Sequence, residues 1–344
     1  MDRLERRTLL RAGLLVPATA AMTASAGPAA AVPRRTRTLA TGLNYPWGID
    51  FLRDGSALVS ERNSGRVLRV RPGGGYSVAG RIPDVFNNGG EGGLMGLALS
   101  PNFNRDRWVY LFKTTRSDNR VIRVKYVDGR LGTRQVILSG IPRAQTHNGG
   151  GLWFSDYPSL FVTTGDTRNP ALAQNKRSLA GKILRLKPDG TAQRGNPFGT
   201  RIYSYGHRNP QGITNVPKGR LWCTELGENT WDELNWIRAG RNYGWPDAEG
   251  SDGAGGYTDP LAQWNPADCS PSGIALLRGH AWVGALRGQS LWSVDLVGAG
   301  RGTKRRFFQG DFGRIRMVKR APDSSLWIGT SNGGGNDRIM RIAI

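Results

Sequence analysis

The feature of this chain that most limits its fold is a phrase that returns six times. Aligned on itself, the sequence divides into units opening at Pro46 ("PWGIDFLRDGSALVSERNSGRVLRV"), Glu91 ("EGGLMGLALSPNFNRDRWVYLFKTT"), His147 ("HNGGGLWFSDYPSLFVTTGD"), Arg208 ("RNPQGITNVPKGRLWCTELG"), Ser270 ("SPSGIALLRG") and Gly313 ("GRIRMVKRAPDSSLWIGTSNGGG"). Each has a glycine-rich or polar opening, an alternating run, a turn, and second and third strand-like runs, the third ending on a basic residue. Alternation at period two is the pattern of a half-buried strand. The openings lie 45, 56, 61, 62 and 43 residues apart, and repeats of roughly 40–50 residues with several strands each are the mark of a β-propeller. The expected fold is all-β: a six-bladed β-propeller of four-stranded antiparallel blades around a central channel. "RTLATGL" at 37–43 is placed to add a closing strand to the last blade. The 49 glycines and 11 tryptophans suit short strands joined by tight turns and exclude a helical solenoid. A pair of β-sandwiches is the competing architecture.

The N-terminus reads differently from the rest. "ERRTLLRAGLLVPATAAMTASAGPAAA" joins paired arginines to a moderately apolar segment and a small-residue ending. It predicts a twin-arginine export signal over 1–31, cleaved after Ala31. A short linker over 32–38 and a single propeller domain over 39–344 follow. No later apolar stretch reaches the roughly 18–20 residues that cross a bilayer, so an exported protein with no membrane span is expected, whether extracellular, periplasmic or associated with the cell wall. The net charge of +22 raises the question of nucleic acid. Basic runs are short, however ("PRRTR" at 33–37, "TKRRFF" at 303–308), and the other arginines are scattered at strand ends. No nucleic-acid partner is expected. Cys223 and Cys269 could pair in an oxidising compartment or stand as separate buried thiols.

Propeller topology says where chemistry should gather. The first strand of each blade lines the channel, and the loops that enter it crowd one mouth. His147, Glu91, Arg208, Asn209, Arg314 and Arg316 all stand at such openings. Histidine exchanges a proton near neutral pH, and arginine grips carboxylates through a planar fork. With Arg287, four arginines on three units would suit a planar anionic ligand. In "TELGENTWDELNWIRAGRNYGWP", Glu225, Glu228, Asp232 and Glu233 fall within nine residues. Hard oxygens at that density fit Ca²⁺, although not with EF-hand spacing; a solvated acidic loop is the alternative. No serine-hydrolase elbow, zinc pattern, P-loop or dinucleotide fingerprint is present.

Taken together, "EGGLMGLALSPNF", "HNGGGLWF", "VTTGD", "YSYGHRNPQGI", "DELNWIRAGRNYGWP", "SPSGIAL", "GALRGQSLW" and "GRIRMV" resemble the soluble PQQ-dependent sugar dehydrogenases, the glucose/sorbosone dehydrogenase family that includes aldose sugar dehydrogenases. The resemblance covers residues 39–344. It implies pyrroloquinoline quinone (PQQ) held over the central mouth and oxidation of an aldose at C1 to the lactone, with electrons passed on to an external acceptor. His147 would be the general base while hydride passes to the quinone. Arg208 and Asn209 would contact the cofactor, Arg208 also stabilising charge on the quinone oxygen. Arg287, Arg314 and Arg316 match the family's other cofactor contacts, and Glu91 stands beside the substrate pocket. Calcium would be bound through the carbonyls of Gly227 and Glu228, with Asp232 and Glu233 as candidates for a second site. The chain departs from the family at Leu226, which removes a polar side chain from the pocket rim, and at Glu228, which replaces a proline. A metal-dependent propeller lactonase and a non-catalytic glycan-binding propeller are the alternative functions.

Overall fold

The alternating runs become 24 strands among the described residues, hydrogen-bonded into six separate four-stranded sheets. The computed structural model describes residues 32–155, 158–215, 219–251 and 256–344; the expected export signal lies outside them. The first strand, β1 (Arg35–Leu43), is followed by blade one: β2 (Pro46–Phe51), β3 (Ala57–Glu61), β4 (Arg66–Val70) and β5 (Tyr76–Arg81). Blade two holds β6 (Leu94–Leu99), β7 (Trp108–Thr114), β8 (Asn119–Val127) and β9 (Arg130–Ile141). Blade three holds β10 (Leu152–Phe154), β11 (Leu160–Thr164), β12 (Lys182–Leu186) and β13 (Ile202–Tyr205). Blade four holds β14 (Pro210–Asn215), β15 (Leu221–Glu225), β16 (Asp232–Ile237) and β17 (Ala262–Trp264). Blade five holds β18 (Pro271–Leu277), β19 (His280–Ala285), β20 (Ser290–Asp295) and β21 (Lys304–Phe307). Blade six holds β22 (Ile315–Arg320), β23 (Leu326–Thr330) and β24 (Asp337–Ala343). Short helical turns, α1 (Phe103–Asp106) and α2 (Ala171–Gln174), decorate the loops.

Blade six takes its outer strand from the start of the chain. β1 pairs antiparallel with β24, from Arg35 opposite Ala343 to Leu43 opposite Asp337. This is the closing strand expected from "RTLATGL", but it begins at Arg35, inside the stretch expected as linker. Six apolar clusters fill the six seams between neighbouring blades. Cys223 sits in the seam between blades three and four and Cys269 in the seam between four and five, both as buried free thiols. They do not form a disulfide.

The inner strands approach one another so closely that they need glycine. A Cβ on Gly48 would lie 2.4 Å from Leu97 N, on Gly96 2.2 Å from Gly150 O, on Gly151 2.3 Å from Gln211 O, on Gly212 2.2 Å from Ser272 O, and on Gly273 2.5 Å from Arg316 O. Blades one to five thus place a glycine where each inner strand meets the next. Blade six places Arg316 at the corresponding point of "RIRMV". The channel these strands line is narrow, about 60 Å³, and Arg316 enters it.

Candidate functional site

Strand register puts one set of loops at one mouth. Pro46 pairs with Glu61, Leu94 with Lys113, Pro210 with Glu225, Pro271 with Ala285 and Ile315 with Thr330. The start of each inner strand therefore shares its end of the blade with the turn after the second strand. His147, Glu91, Arg208 and Arg314 come from the openings; Arg62, Asp166, Leu226 and Arg287 come from the turns.

His147 is fixed on every side. Its φ of +57° is in the left-handed region, which a non-glycine residue adopts only when its surroundings enforce it. The amide N–H donates to Glu91 Oε2 (2.9 Å), and the carbonyl accepts from Thr167 N–H (3.1 Å). Gly165 permits this packing, since a Cβ there would lie 2.1 Å from His147 O. Nδ1 pairs with Asp166 Oδ1 at 2.8 Å, the imidazole being 14% exposed and the carboxylate 1%. Asp166 is itself held, by Trp245 Nε1–H at Oδ2 (2.8 Å) and by Arg168 N–H at Oδ1 (2.8 Å). With Nδ1 engaged, Nε2 is the ring nitrogen left for the mouth.

Glu91 and Asn209 tie blades together behind the imidazole. Asn209 Nδ2–H donates to Glu91 Oε2 (3.2 Å), and Asn209 Oδ1 accepts from Gly149 N–H (3.1 Å). Arg208 lies beside them, its amide bonded to Glu225 and its Nη1 donating to Leu226 O (3.2 Å). Its guanidinium is 5.3 Å from the Trp245 ring. Its Nε is buried with no hydrogen-bond partner among the described residues.

Arg316 is the deepest cation of the site, 4% exposed. It donates to Ser331 Oγ (3.2 Å), Gln211 Oε1 (2.9 Å) and Ser272 Oγ (3.3 Å), so that neutral oxygens from three blades surround it. Burial lowers its pKa to about 9, and the neighbouring positive charges of Arg62 and Arg314 push the same way. Arg62, also buried, is lowered first by loss of solvent, and Arg314 is lowered in the same direction by its concave surroundings although it stands exposed at the rim. None of the three forms an ion pair among the described residues, although Glu91 lies near enough to favour all three charges. Like charges crowded without carboxylate partners make an anion site.

The remaining expected residues divide. Arg287 stands exposed in the turn after β19, outside the network that joins the others. The Gly227 amide donates to Asp232 Oδ1 (3.0 Å) and the Glu228 amide to Glu249. No hydrogen bond takes either residue's carbonyl among the described residues. Asp232 Oδ2 accepts from Ser270 N–H (2.6 Å), and Glu233 accepts from Gly250 N–H (2.7 Å) and Asn235 Nδ2–H (2.8 Å). Burial raises their pKa values to about 6 and about 8, helped at Glu233 by the Glu225 charge. These two carboxyls hold loops. Among the described residues, no three His, Cys, Asp or Glu side chains gather to hold a metal ion.

Sequence reasoning missed Arg62, Asp166, Gln211, Ser272 and Trp245. The turns after the second strands share the mouth with the blade openings, and that position is the signal borne by Arg62 and Asp166. Gln211 and Ser272 stand in the openings themselves, second in their inner strands like Arg316, and Trp245 carried no such signal.

The family model for "Glucose / Sorbosone dehydrogenase" matches residues 43–341. The PQQ-bound form of aldose sugar dehydrogenase from Streptomyces coelicolor superposes with a TM-score of 0.85 at 42% identity, covering 90% of this chain and 99% of that one. Aldose sugar dehydrogenase YliI of Escherichia coli (strain K12) is 29% identical over 332 residues, 85% of this chain and 89% of the relative. Quinoprotein glucose dehydrogenase B of Acinetobacter calcoaceticus is 30% identical over 258 residues, 64% of this chain and 54% of the relative. With its fold, its mouth and its matched length in agreement, the chain belongs to the glucose/sorbosone dehydrogenase family of sugar-oxidising enzymes.

Proposed function

We propose that the protein oxidises aldose sugars at C1 to lactones with PQQ and Ca²⁺, passing electrons to an external acceptor. The observation that carries this reading is the cluster of Arg62, Arg314 and Arg316, crowded over the channel without carboxylate partners beside the fixed His147–Asp166 pair. A tricarboxylated ring fits that cluster, because its charges would relieve the mutual repulsion of the guanidiniums. The unpartnered Nε of Arg208 supplies a further donor. A PQQ-bound structural relative points the same way.

PQQ, when bound, supplies a quinone that accepts the hydride. The protein's own part is to hold the sugar and move one proton. Asp166 fixes the imidazole tautomer so that Nε2 faces the substrate and takes the C1 hydroxyl proton. Arg208, between Leu226 O and Trp245, is placed to stabilise developing negative charge. The Gly227 and Glu228 carbonyls are the groups that would take Ca²⁺, which favours oxygen ligands. Leu226 makes this part of the rim apolar, which suits sugars with fewer polar contacts at that edge.

The test is reconstitution. Purified protein is titrated with PQQ and Ca²⁺, binding is followed by absorbance, and dye reduction is measured with a panel of sugars. Binding together with sugar-dependent reduction is expected; absence of both overturns the reading. His147→Ala should keep PQQ binding while turnover falls about 10²–10⁴-fold, the usual contribution of a general base. Unchanged turnover would place the base elsewhere.

A further inference from the structure

The seam between blades three and four is built unlike the other five. Its apolar cluster has seven buried residues among those described, against eleven to fourteen in the others. Where apolar packing runs short, at the end of the blades opposite the sugar-oxidising mouth, lies a cavity of about 600 Å³. Its location follows from register: Asn215 ends β14, Leu221 begins β15 and Ile237 ends β16.

Three arginines reach this cavity, Arg185 from blade three and Arg220 and Arg238 from blade four, and no carboxylate lines it among the described residues. Arg220 and Arg238 lie over the Trp236 ring at 4.3 and 5.0 Å, and Arg185 lies over Tyr203 at 5.7 Å. Stacking on a ring fixes the plane of a guanidinium and leaves its in-plane N–H groups to bind an anion, except that Arg185 Nε already donates to Ser159 Oγ (3.2 Å), so that this residue offers its terminal N–H groups. Arg238 Nε is buried with no hydrogen-bond partner among the described residues, an arrangement that is costly unless something else accepts from it. The backbone beneath is rigid: Tyr243 OH donates to Trp236 O (2.6 Å) and accepts from Arg238 N–H (2.9 Å). The apolar wall is Phe161 and Ile237.

We propose that this cavity is a second ligand site, for a small organic molecule bearing a phosphate or carboxylate group. The oxyanion binds the forks of Arg185, Arg220 and Arg238, and the organic body lies against the apolar wall. The volume is within the range of small-molecule sites. The site is independent of sugar oxidation, since none of its residues belongs to the mouth.

Calorimetric titration of the whole chain with 1-naphthyl phosphate and, separately, 1-naphthoate tests this and distinguishes the two oxyanions. Saturable binding of at least one is expected. Arg220→Gln and Arg238→Gln should each weaken it about 10-fold or more, the scale of a lost charged hydrogen bond, while Arg314→Gln at the mouth leaves that binding unchanged. Arg220 is exposed, so its variant stands even if Arg238→Gln fails to fold. No binding at millimolar ligand overturns the proposal. So does binding lost in Arg314→Gln but kept in Arg220→Gln, which would place the ligand at the mouth.

Discussion

Asp166 has both carboxylate oxygens engaged, one with His147 Nδ1 and Arg168 N–H, the other with Trp245 Nε1–H. The indole is thus a positioning group acting on the imidazole through the carboxylate. Trp245→Phe removes one hydrogen bond to an ionised group, a loss of about 1.5–3 kcal/mol. If that loss falls on the proton transfer proposed for His147, turnover drops about ten- to a hundred-fold, with KM nearly unchanged and the pH profile of kcat displaced. A profile that keeps its position while protein stability alone falls would make Trp245 a packing residue only. At this scale the sequence was partly legible. A histidine before three glycines and an arginine in "HRNPQG" declare themselves by residue type. Asp166 and Trp245 do not, because their roles depend on an approach between residues 79 apart in the chain.

Single elements carry the site through their ends. Lys182, the first residue of β12, is fully buried and donates from Nζ to the carbonyls of Leu172 (2.7 Å), Ala173 (2.9 Å) and Ala180 (2.6 Å). It ties the end of α2, where Leu172 O also accepts from Asn175 N–H and Ala173 O from Gly206 N–H, to the segment that begins at Asp166. Burial pushes its pKa down to about 7 from 10.5. Between those values Lys182 carries a proton in the unfolded chain that it lacks in the folded one, so its own contribution to stability rises with pH from about 7 to about 10.5, against the opposite contributions of Glu233, Cys223 and Cys269, whose acid forms the fold favours. Lys182→Met should remove that contribution, so that the thermal midpoint of the wild type relative to the variant rises with pH across this window, and should weaken sugar turnover by loosening the loop under His147. An unchanged pH slope would show that the ammonium stays charged in the fold. A fourth strand per blade was expected from the fold, but its position in each unit was left unmarked by the sequence. The repeat marks three strands in each unit, and the fourth, such as β9, is exposed at most positions and so lacks the alternation that marks β8 or β24. Alternation records burial on one face; a strand at the rim of a blade has little burial to record.

The ring as a whole depends on closure between the two ends of the chain. Leu39, Ala40 and Leu43 of β1 are buried in the seam between blades six and one. Deleting residues 32–43 exposes that seam, and the two leucines alone imply a loss of about 3–6 kcal/mol. That is a large share of the roughly 5–15 kcal/mol available to a domain. The shortened chain should show a sharply lower thermal midpoint or fail to accumulate; an unchanged midpoint would show that closure by β1 is dispensable. Six repeats, period-two runs and a strand-like segment ahead of the first unit were enough to read this architecture from the sequence alone, because each is a local pattern set by which residues must turn away from water. The repeat placed Glu91, Asn209 and Arg316 at one mouth, but their pairing, Glu91 with Asn209 118 residues away and Arg316 with Gln211 105 residues away, was decided only in three dimensions. The reason is steric: the glycines that let inner strands touch also set which side chains face one another across the channel, and no periodicity along the chain encodes that distance.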